Sequence, residues 1–265
     1  MLSRTNRRTG SKVVRAFVPP RSVHPYGRHP AQVGELFEPE DRPLGVAVVL
    51  HGGFWRARYD RQLMDELCVD LAANGWLAWN LEYRRVGDGG GWPETLDDVS
   101  AGIDHLATLD PSRGLTPGPV PFVAVGHSAG GQLALWAAAR PNPRVPITHA
   151  VSQAGVLDLH EADRLGLSDH AARELLRSTP DEEPERWRLA SPLKLLPLGV
   201  PQLVVHGEKD DVVPASISAE YVQAARAAGD PCLASLLPGV GHYEHLDPSS
   251  DAWAAVRDFL ESLAG

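Results

Sequence analysis

The sequence predicts an α/β fold in which helices flank a mostly parallel, doubly wound β-sheet. Apolar runs of strand length occur at residues 44–50, 122–125 and 202–206, and segments with helical apolar spacing separate them. Continuous apolar runs are typical of strands that are buried on both faces, as in parallel sheets. Alternating strands and helices imply right-handed crossovers, and ligands in such sheets bind beyond the carboxyl ends of the strands. Residues that directly follow these strands are therefore the first candidates for a functional site.

The N-terminal residues 1–30 are predicted to form an arm, and residues 31–265 a single domain. Five Arg and Lys residues occur within residues 1–15 without the apolar stretch that a secretory signal needs. Residues 13–20 are expected to be extended, and the prolines that follow disfavour helix. Residues 32–37 alternate apolar and polar side chains, which indicates an early edge strand.

The middle of the chain is predicted as strands and helices in alternation. Leu63, Leu67 and Leu71 recur at helical spacing. Glu94, Asp97 and Asp98 follow Pro93 and are expected to cap and solvate a helix. The predicted elements are a strand at 44–50, a helix at 61–73, a strand at 76–83, a mobile loop at 86–91, a helix from 93, a linker at 110–121 and a strand at 122–125.

The second half of the chain continues the same alternation after one interruption. Short charged helical pieces at about residues 156–196 predict a small cap insertion, the kind of segment that often selects substrates. The other predicted elements are a strand at 147–151, a strand at 202–206, a helix at 215–228, a short strand at 232–236 and a final helix that carries Trp253, Val256, Leu260 and Leu263 on one face.

Composition and charge exclude several classes of function. The chain has 265 residues, a formal net charge of -9 and two cysteines. An acidic chain offers no basic face to nucleic acid or to an anionic membrane, so we expect neither partner and infer a small-molecule substrate. Few cysteines, far apart in sequence, indicate a reduced compartment, and we expect a cytoplasmic protein. The sequence leaves the oligomeric state open, a homodimer included.

The chemistry is predicted at Gly126-His127-Ser128-Ala129-Gly130, which follows the apolar run 122–125. The pattern Gly-x-Ser-x-Gly is that of a nucleophile elbow, a strained turn from strand to helix that exposes a serine hydroxyl. The flanking glycines are needed because a side chain there would collide with the neighbouring backbone. The alternative is a tight structural turn. The apolar strand before the motif and the helical spacing after it favour Ser128 as a nucleophile.

A second glycine-rich motif, His51-Gly52-Gly53-Phe54-Trp55, follows the central strand. Acyl transfer generates an oxyanion, and backbone N–H groups that are left unpaired can stabilise it. A glycine-rich strand end can supply such groups. The alternative is that the two glycines only turn the chain. His51 itself is expected to be structural and to brace this loop through hydrogen bonds.

A serine nucleophile needs a histidine base, and that base needs an acid to fix its tautomer. Asp210 follows the strand at 202–206, and His242 follows the last short strand. Asp211 and His245 are the respective alternatives. The pair His242 and His245 has no third ligand at useful spacing, so no metal and no cofactor are expected.

Taken together, these residues resemble the α/β-hydrolase superfamily from about Gln32 to the end of the chain. The motif at residues 51–55 looks like the HGGxW motif of kynurenine formamidases (arylformamidases) and related small bacterial esterases, and Tyr26-Gly27-x-His29-Pro30 is similar to their N-terminal region. The resemblance implies Ser128 as nucleophile, Asp210 as acid and His242 as base. It also implies an oxyanion hole formed by the amides of Gly53, Phe54 and Ala129. We further expect Trp55 and His127 to contact the substrate.

The sequence therefore predicts a cofactor-free serine hydrolase that cleaves a small carboxylic ester or an aryl formamide through an acyl-enzyme. Activity is expected to rise with pH at about pH 6 to 7, where an ordinary imidazole deprotonates. A dedicated kynurenine formamidase, a short-peptide hydrolase and a non-catalytic binding protein of the same fold are the alternatives. The carboxylate of an amino-acid substrate would need a cationic partner, and the candidates are Arg56, Arg58, Arg84 and Arg85.

Overall fold

The computed structural model describes residues 17–109 and 120–264, and within them the strands form an eight-stranded sheet. The strand order is β1-β2-β4-β3-β5-β6-β7-β8, antiparallel for the pairs β1-β2 and β2-β4 and parallel for all the others. The strands are β1 (Arg21–Pro25), β2 (Val33–Phe37), β3 (Gly45–Leu50), β4 (Trp76–Leu81), β5 (Phe122–His127), β6 (His149–Gln153), β7 (Gln202–Gly207) and β8 (Cys232–Leu237). The predicted fold class is confirmed.

The strands that lead to the candidate motifs lie in the middle of the sheet. Every residue of β3, β5 and β7 is buried, as their continuous apolar sequences predict. β8, at the edge, exposes part of its length instead. The carboxyl ends of β3, β5 and β7 therefore meet at one edge of a rigid scaffold, since all three strands run parallel.

The sheet begins earlier in the chain than the sequence predicts. β1 lies inside the range predicted as an arm, and it pairs with β2 from Arg21 opposite Phe37 to Pro25 opposite Val33. Its side chains alternate between exposed and half-buried positions, and proline is tolerated on an edge strand that lacks one neighbour. Residues 1–16 and 110–119, which include most of the predicted arm and linker, lie outside the described residues.

Helices cover both faces of the sheet. α2, α3 and α8 pack on one face with the helices of the cap region, and α1 and α9 pack on the other. A 3-10 turn at Arg61–Met64, capped by the Asp60 side chain, precedes α1. The helices are α1 (Asp65–Ala73), α2 (Glu94–His105), α3 (Ala129–Ala138), α4 (Leu159–Arg164), α5 (Ala171–Leu176), α6 (Pro184–Ala190), α7 (Pro192–Leu195), α8 (Ala215–Ala227) and α9 (Asp251–Leu263). In the described part of the chain, none of them is both long and apolar enough to cross a membrane.

The helices α4 to α7 occupy the range predicted as a cap insertion, between β6 and β7. They are tied to α3, the helix that follows Ser128. The Gln132 side-chain amide donates to the carbonyl of Ala190 at 2.8 Å, and the Trp136 indole N–H donates to the carbonyl of Leu189 at 3.1 Å. The helix of the elbow and the insertion are thus joined by hydrogen bonds.

Asp98 differs from its prediction as a solvated helix-capping residue. Its side chain is buried and accepts hydrogen bonds from Arg84 Nε at 2.8 Å and Arg84 Nη2 at 2.7 Å, and from the Gln32 amide at 2.7 Å. A buried carboxylate needs such partners because burial without them costs several kcal/mol. Asp98 therefore anchors the chain that follows β4 to α2 and to the start of β2.

Candidate active site

The turn from β5 to α3 holds Ser128 in the geometry of a nucleophile elbow. Ser128 has φ 56° and ψ -120°, a conformation that is rare and strained for a residue with a side chain. A Cβ atom at Gly126 would collide with the carbonyl oxygen of Gly130, and one at Gly130 would collide with the carbonyl oxygen of Leu50. Both glycines are therefore required, as the motif predicts, and α3 begins directly behind the serine.

The loop after β3 lies directly against the elbow. A Cβ atom at Gly52 would come within 2.8 Å of the His127 carbonyl oxygen and 2.9 Å of Ser128 Cβ. Gly53, Phe54 and Trp55 then have φ values of 108°, 48° and 58°, so the chain turns sharply beside Ser128. Only glycine at position 52 permits this close approach of two backbones.

The backbone amides predicted as an oxyanion hole are available at this junction. Within residues 17–109 and 120–264, the N–H groups of Gly53, Phe54 and Ala129 donate to no acceptor. Ala129 is the first residue of α3, where an N–H has no partner in its own helix. An unpaired amide near a cavity is what an anionic oxygen would bind.

His51 braces the loop, as predicted. Its Nδ1 lies 2.8 Å from the Gly52 carbonyl oxygen, and its Nε2 lies 3.0 Å from Glu82 Oε1. Its ring stacks on Tyr83 with centroids 4.4 Å apart. Burial alone would raise the pKa of Glu82, but the hydrogen bonds from His51 and from the Arg61 amide hold that pKa below its usual range. Glu82 is thus ionised, and the His51–Glu82 pair stabilises the loop at residues 52–55.

Asp210 and His242 meet at the carboxyl ends of β7 and β8. His242 Nδ1–H donates to Asp210 Oδ2 at 2.7 Å, and the amides of Val212 and Val213 donate to Oδ1 at 2.9 and 2.8 Å. Burial would raise the pKa of Asp210, but hydrogen bonds from His206, His242 and Val213 hold it well below its usual range. Asp210 is therefore ionised, and a neutral His242 has its free acceptor lone pair on Nε2.

Of the two candidate aspartates, only Asp210 contacts the histidine in the described structure. Asp211 is exposed, and no hydrogen bond or ion pair joins it to the described part of the chain. The backbone amides of Val212 and Val213 donate to the Asp210 carboxylate and hold it in place beside His242. The choice of Asp210 over Asp211 from the spacing after His206-Gly207 agrees with this geometry.

Ser128 and His242 line one small cavity. Its volume is about 80 Å3. Ser128 as a whole residue is only 2% exposed, so this cavity is the space that it faces. The lining residues are Gly53, Phe54, Tyr59, Leu63, His127, Ser128, Val212, His242, Tyr243 and Leu246. The serine, the histidine and the loop after β3 therefore share one small, largely apolar space, which we call the inner cavity.

A family model and several relatives match this chain. The BD-FAE model matches residues 36–224, which span β2 to most of α8. The chain belongs to the BD-FAE family. Esterase LipC of Mycobacterium tuberculosis is 30% identical over 238 residues, which are 82% of this chain and 58% of LipC. Esterase LipQ of the same organism is 27% identical over 242 residues, 84% of this chain and 56% of LipQ. The chain thus spans under three-fifths of the length of these two relatives.

Solved structures show the same fold as this BD-FAE family member. A truncated carbohydrate esterase from gut microbiota superposes with a TM-score of 0.77 at 18% identity, covering 92% of this chain and 96% of that one. Esterase B from Lactobacillus rhamnosis superposes with a TM-score of 0.78 at 16% identity, covering 92% of this chain and 86% of that one. At these identities the likeness establishes the α/β-hydrolase fold.

A second, wider space, which we call the outer cavity, adjoins the inner one in this BD-FAE member. Its volume is about 420 Å3, and five residues line both spaces: Gly53, Phe54, Tyr59, Val212 and Tyr243. The residues found only in the outer cavity are Arg56, Arg58, Ser168 and Asp211. The outer cavity is therefore lined about equally by polar and apolar surface, whereas the inner cavity is mainly apolar.

The two predicted substrate contacts have different positions. His127 lines the inner cavity, and its Nε2–H donates to the His242 carbonyl at 2.9 Å. Burial lowers the pKa of His127 well below its usual range, so the ring is neutral. Trp55 is 1% exposed and lies in the core, where its indole N–H donates to Gln132 Oε1 at 3.0 Å. The prediction that Trp55 contacts substrate is not supported, because Trp55 lines neither cavity.

Three of the four candidate arginines are engaged with carboxylates. Arg56 donates to Glu174 Oε2 at 2.8 Å, Arg84 binds Asp98, and Arg85 donates to Asp88 Oδ2 at 3.2 Å. Arg58 has no carboxylate partner within residues 17–109 and 120–264, and it lines the outer cavity beside Tyr59. Of the four, Arg58 is therefore the one without a carboxylate partner in the described part of the chain.

His245, the alternative base, lies away from the inner cavity. Its ring is buried, its two nitrogens have no hydrogen-bond partner among the described residues, and burial lowers its pKa to about 3. Sequence reasoning missed His206 instead, whose Nε2 lies 3.1 Å from Asp210 Oδ2. The sequence signal for His206 was its position four residues before Asp210, which was used only to choose between Asp210 and Asp211. The described residues contain no cluster of three or more His, Cys, Asp or Glu arranged around a metal site.

Proposed function

We propose that this protein hydrolyses carboxylic esters of short acyl chains, with Ser128 as nucleophile, His242 as base and Asp210 as the acid that orients the base. The observation that carries the proposal is the shared inner cavity. Ser128, at a strained strand-to-helix turn, and His242, bound through Nδ1 to Asp210, line the same space. A nucleophile, a base and an orienting acid in this relation are the working parts of acyl transfer.

The first step is the activation of Ser128. With Nδ1–H bound to an ionised Asp210, a neutral His242 presents a lone pair at Nε2 and can take the hydroxyl proton. The serine oxygen attacks the ester carbonyl, the imidazolium returns its proton to the leaving alcohol, and an acyl-enzyme forms. Water, deprotonated by the same histidine, then releases the acid and restores the free serine.

The negative charge of the tetrahedral intermediate needs donors that are already in place. The unpaired N–H groups of Gly53, Phe54 and Ala129 are our candidates. Two observations support these candidates: Gly52 lies close to Ser128, and His51 and Glu82 hold the loop that carries Gly53 and Phe54. A rigid amide cradle stabilises charge without reorganising during the reaction.

The sizes and linings of the two cavities suggest that the acyl chain binds in the inner cavity and the alcohol in the outer cavity. An inner cavity of about 80 Å3 with the apolar side chains of Leu63, Val212 and Leu246 suits a short acyl chain. It is well below the roughly 300–1,000 Å3 of pockets that hold drug-sized ligands. The outer cavity of about 420 Å3 is more polar than the inner cavity and suits a larger, hydrogen-bonding alcohol. The relatives whose names describe esterases, LipC and LipQ, agree with ester hydrolysis.

An aryl formamide is the second candidate substrate. A formyl group is the smallest acyl group and would enter the inner cavity without difficulty. Arg58, which has no carboxylate partner in the described chain, could hold an acidic leaving group in the outer cavity. A dedicated kynurenine formamidase would be the specific form of this candidate, and its support is the HGGxW-like sequence at residues 51–55.

A substrate panel with wild-type protein and Ser128→Ala tests the proposal. We expect p-nitrophenyl acetate to be cleaved at least tenfold faster than p-nitrophenyl octanoate, and Ser128→Ala to reduce kcat by about six orders of magnitude, as for other triad nucleophiles. Full activity in Ser128→Ala would refute the proposal. Faster cleavage of formylkynurenine than of any ester would favour the second candidate, and cleavage of peptides alone, or of nothing, would contradict both.

A further inference from the structure

Asp210 holds a second histidine that does not reach either cavity. His206, near the end of β7, places Nε2 at 3.1 Å from Asp210 Oδ2 and 2.9 Å from the Val213 carbonyl oxygen. The side chains of His206 and Asp210 are both 0% exposed. Oδ2 is also the oxygen that receives Nδ1–H of His242 at 2.7 Å. One carboxylate oxygen thus faces two imidazoles, of which only His242 lines the inner cavity.

The surroundings of His206 determine which nitrogen carries its proton. Nε2 faces two acceptors, so it must be the donor. Nδ1 lies 2.7 Å from the hydroxyl of Ser218 on α8, and that hydroxyl can donate to it. Every polar atom of a neutral His206 ring is then satisfied, and its N–H is held in a fixed direction between Val213 and Asp210.

We propose that His206 is a positioning residue: its Nε2–H donates to the Val213 carbonyl, its Nε2 lies 3.1 Å from Asp210 Oδ2, and this nearby donor limits how strongly Asp210 holds the proton of His242. This inference rests on the proposed function, in which Asp210 and His242 are the acid and the base. The positive end of the His206 N–H dipole and the hydrogen bond from His242 face the same oxygen, so the negative charge of that oxygen is shared and His242 is bound less tightly than it would be alone. Without His206, Asp210 would hold a protonated His242 more firmly, and less of the free base would be present at neutral pH.

The other groups around this pair do not supply the same effect. The amides of Val212 and Val213 bind the other carboxylate oxygen. His127 and His245 are neutral because burial lowers their pKa values, well below the usual range and to about 3 respectively. The titratable or charged neighbours are His127 from β5, with its ring 4.7 Å from that of His242, Tyr243 at 5.2 Å, His245 from the turn at Glu244–Leu246, and the exposed Asp211.

The test compares His206→Met with His206→Gln. Methionine is close to histidine in size but has no donor, whereas the glutamine amide reaches the position of imidazole Nε2. In His206→Met we expect the acid limb of the kcat/KM profile to move up by roughly 0.5 to 1 pH unit. We also expect kcat at pH 7 to fall roughly two- to threefold, with KM unchanged, because less of the base is free at that pH. His206→Gln should restore most of both values.

Tyr221→Phe is the matched control, because it removes another buried hydrogen bond between α8 and β7. The Tyr221 hydroxyl donates to Gln202 Oε1 at 2.7 Å and does not contact Asp210. This variant should leave the acid limb in place. If His206→Met does not fold, His206→Asn replaces it, because its shorter amide reaches Ser218 but not Asp210, and the same upward shift is expected. An unchanged acid limb, or equal profiles for the glutamine variant and the donor-free variant, would overturn the inference.

An NMR titration separates this inference from the proposed function. The imidazole signals of His242, assigned with His242→Gln, report its protonation in the absence of any substrate. We expect their midpoint to move to higher pH in His206→Met and to return in His206→Gln. A wild-type protein without esterase activity would refute the proposed function alone, whereas identical titrations in all three proteins would refute the role of His206 whatever the activity.

Discussion

The protein has two histidine–carboxylate pairs, each formed at the carboxyl ends of two adjacent strands. The two pairs differ in whether the histidine lines a cavity. His242 and Asp210 are joined at 2.7 Å after β8 and β7, and His51 and Glu82 are joined at 3.0 Å after β3 and β4. Both carboxylates have pKa values below the usual range, because hydrogen bonds outweigh the effect of burial. His242 lines the inner cavity beside Ser128, whereas His51 is fully buried and stacks on Tyr83.

The comparison indicates that a paired histidine becomes a base only where its second nitrogen is open to substrate. In His242, Asp210 occupies Nδ1, and Nε2 stays available. In His51, the Gly52 carbonyl and Glu82 occupy both nitrogens, so neither can take a proton from a substrate or from Ser128. One pair is therefore built for proton transfer and the other for holding the loop at residues 52–55.

The largest expected effect separates the two histidines. His242→Gln should reduce kcat for p-nitrophenyl acetate by about six orders of magnitude, as loss of a triad histidine does. His51→Gln should reduce it only about a hundredfold, because it misplaces the loop without removing the base. Stopped-flow and steady-state assays measure both. Equal losses in the two variants would break the comparison.

The next largest effect separates neighbouring carboxylates. Asp210→Asn should lower kcat by about four orders of magnitude, because an amide favours the wrong tautomer of His242. Asp211→Asn is the control, since this exposed side chain has no hydrogen bond or ion pair with the described part of the chain. We expect it to change kcat for the acetate ester by less than about threefold, as exposed substitutions usually do. A larger loss in Asp211→Asn than in Asp210→Asn would mean that the acid was misassigned.

Glu82 should show its importance in stability more than in turnover. Its carboxylate accepts from His51 Nε2, from the Arg61 amide at 2.9 Å and from the Tyr83 amide at 3.0 Å. Glu82→Gln should lower the free energy of unfolding by about 3–5 kcal/mol, the cost of breaking a buried pair. Urea denaturation measures this change. A stable variant that loses as much kcat as Asp210→Asn would instead place Glu82 in the chemistry.

His245, another buried histidine, extends the comparison because its two ring nitrogens have no hydrogen-bond partner among the described residues. Its pKa in the folded protein is about 3, below the roughly 6.5 of an unfolded histidine. Between these values the unfolded chain binds more protons, so stability falls as the pH falls. The contribution is about 2 kcal/mol between pH 7 and pH 5.

His245→Met should therefore lose less stability than the wild-type protein over the same pH interval. Urea denaturation at pH 7 and pH 5 gives both values, and Asp211→Asn supplies a comparison that leaves this histidine intact. A decrease of the same size in His245→Met and in the wild-type protein would show that another group titrates in this interval.

The parts of the fold that depend on local pattern could be predicted from the sequence. Continuous apolar runs predicted the buried strands. Because these strands are parallel, their order also predicted that residues 52–55, Ser128, Asp210 and His242 lie at the edge formed by the carboxyl ends of the strands. β1 escaped detection because an edge strand buries little, so Arg21–Pro25 carries no apolar pattern. A sequence pattern reports burial, and it fails where an element is half exposed.

The contacts that depend on tertiary packing could not be predicted. Asp98 lies near a helix start and looks like a solvated cap, but it binds Arg84 from the chain after β4. Trp55 follows a glycine pair and looks like a substrate contact, but the three positive φ values at residues 53–55 turn it into the core. His206 was used only for its spacing from Asp210, although its Nε2 lies 3.1 Å from Asp210 Oδ2. A local sequence pattern cannot show these contacts, because each depends on a partner outside the same helix or strand or on the backbone conformation of a turn.

Labelling with a fluorophosphonate tests most directly whether His242 activates Ser128. Intact-mass measurement and peptide mapping follow the stoichiometry and the site of the adduct in the wild-type protein and in His242→Gln. We expect one adduct per wild-type chain, on the peptide that contains Ser128, and a rate at least a thousandfold lower in His242→Gln, in line with the loss of a triad base. An adduct on another residue, or equal labelling rates in the two proteins, would contradict the account.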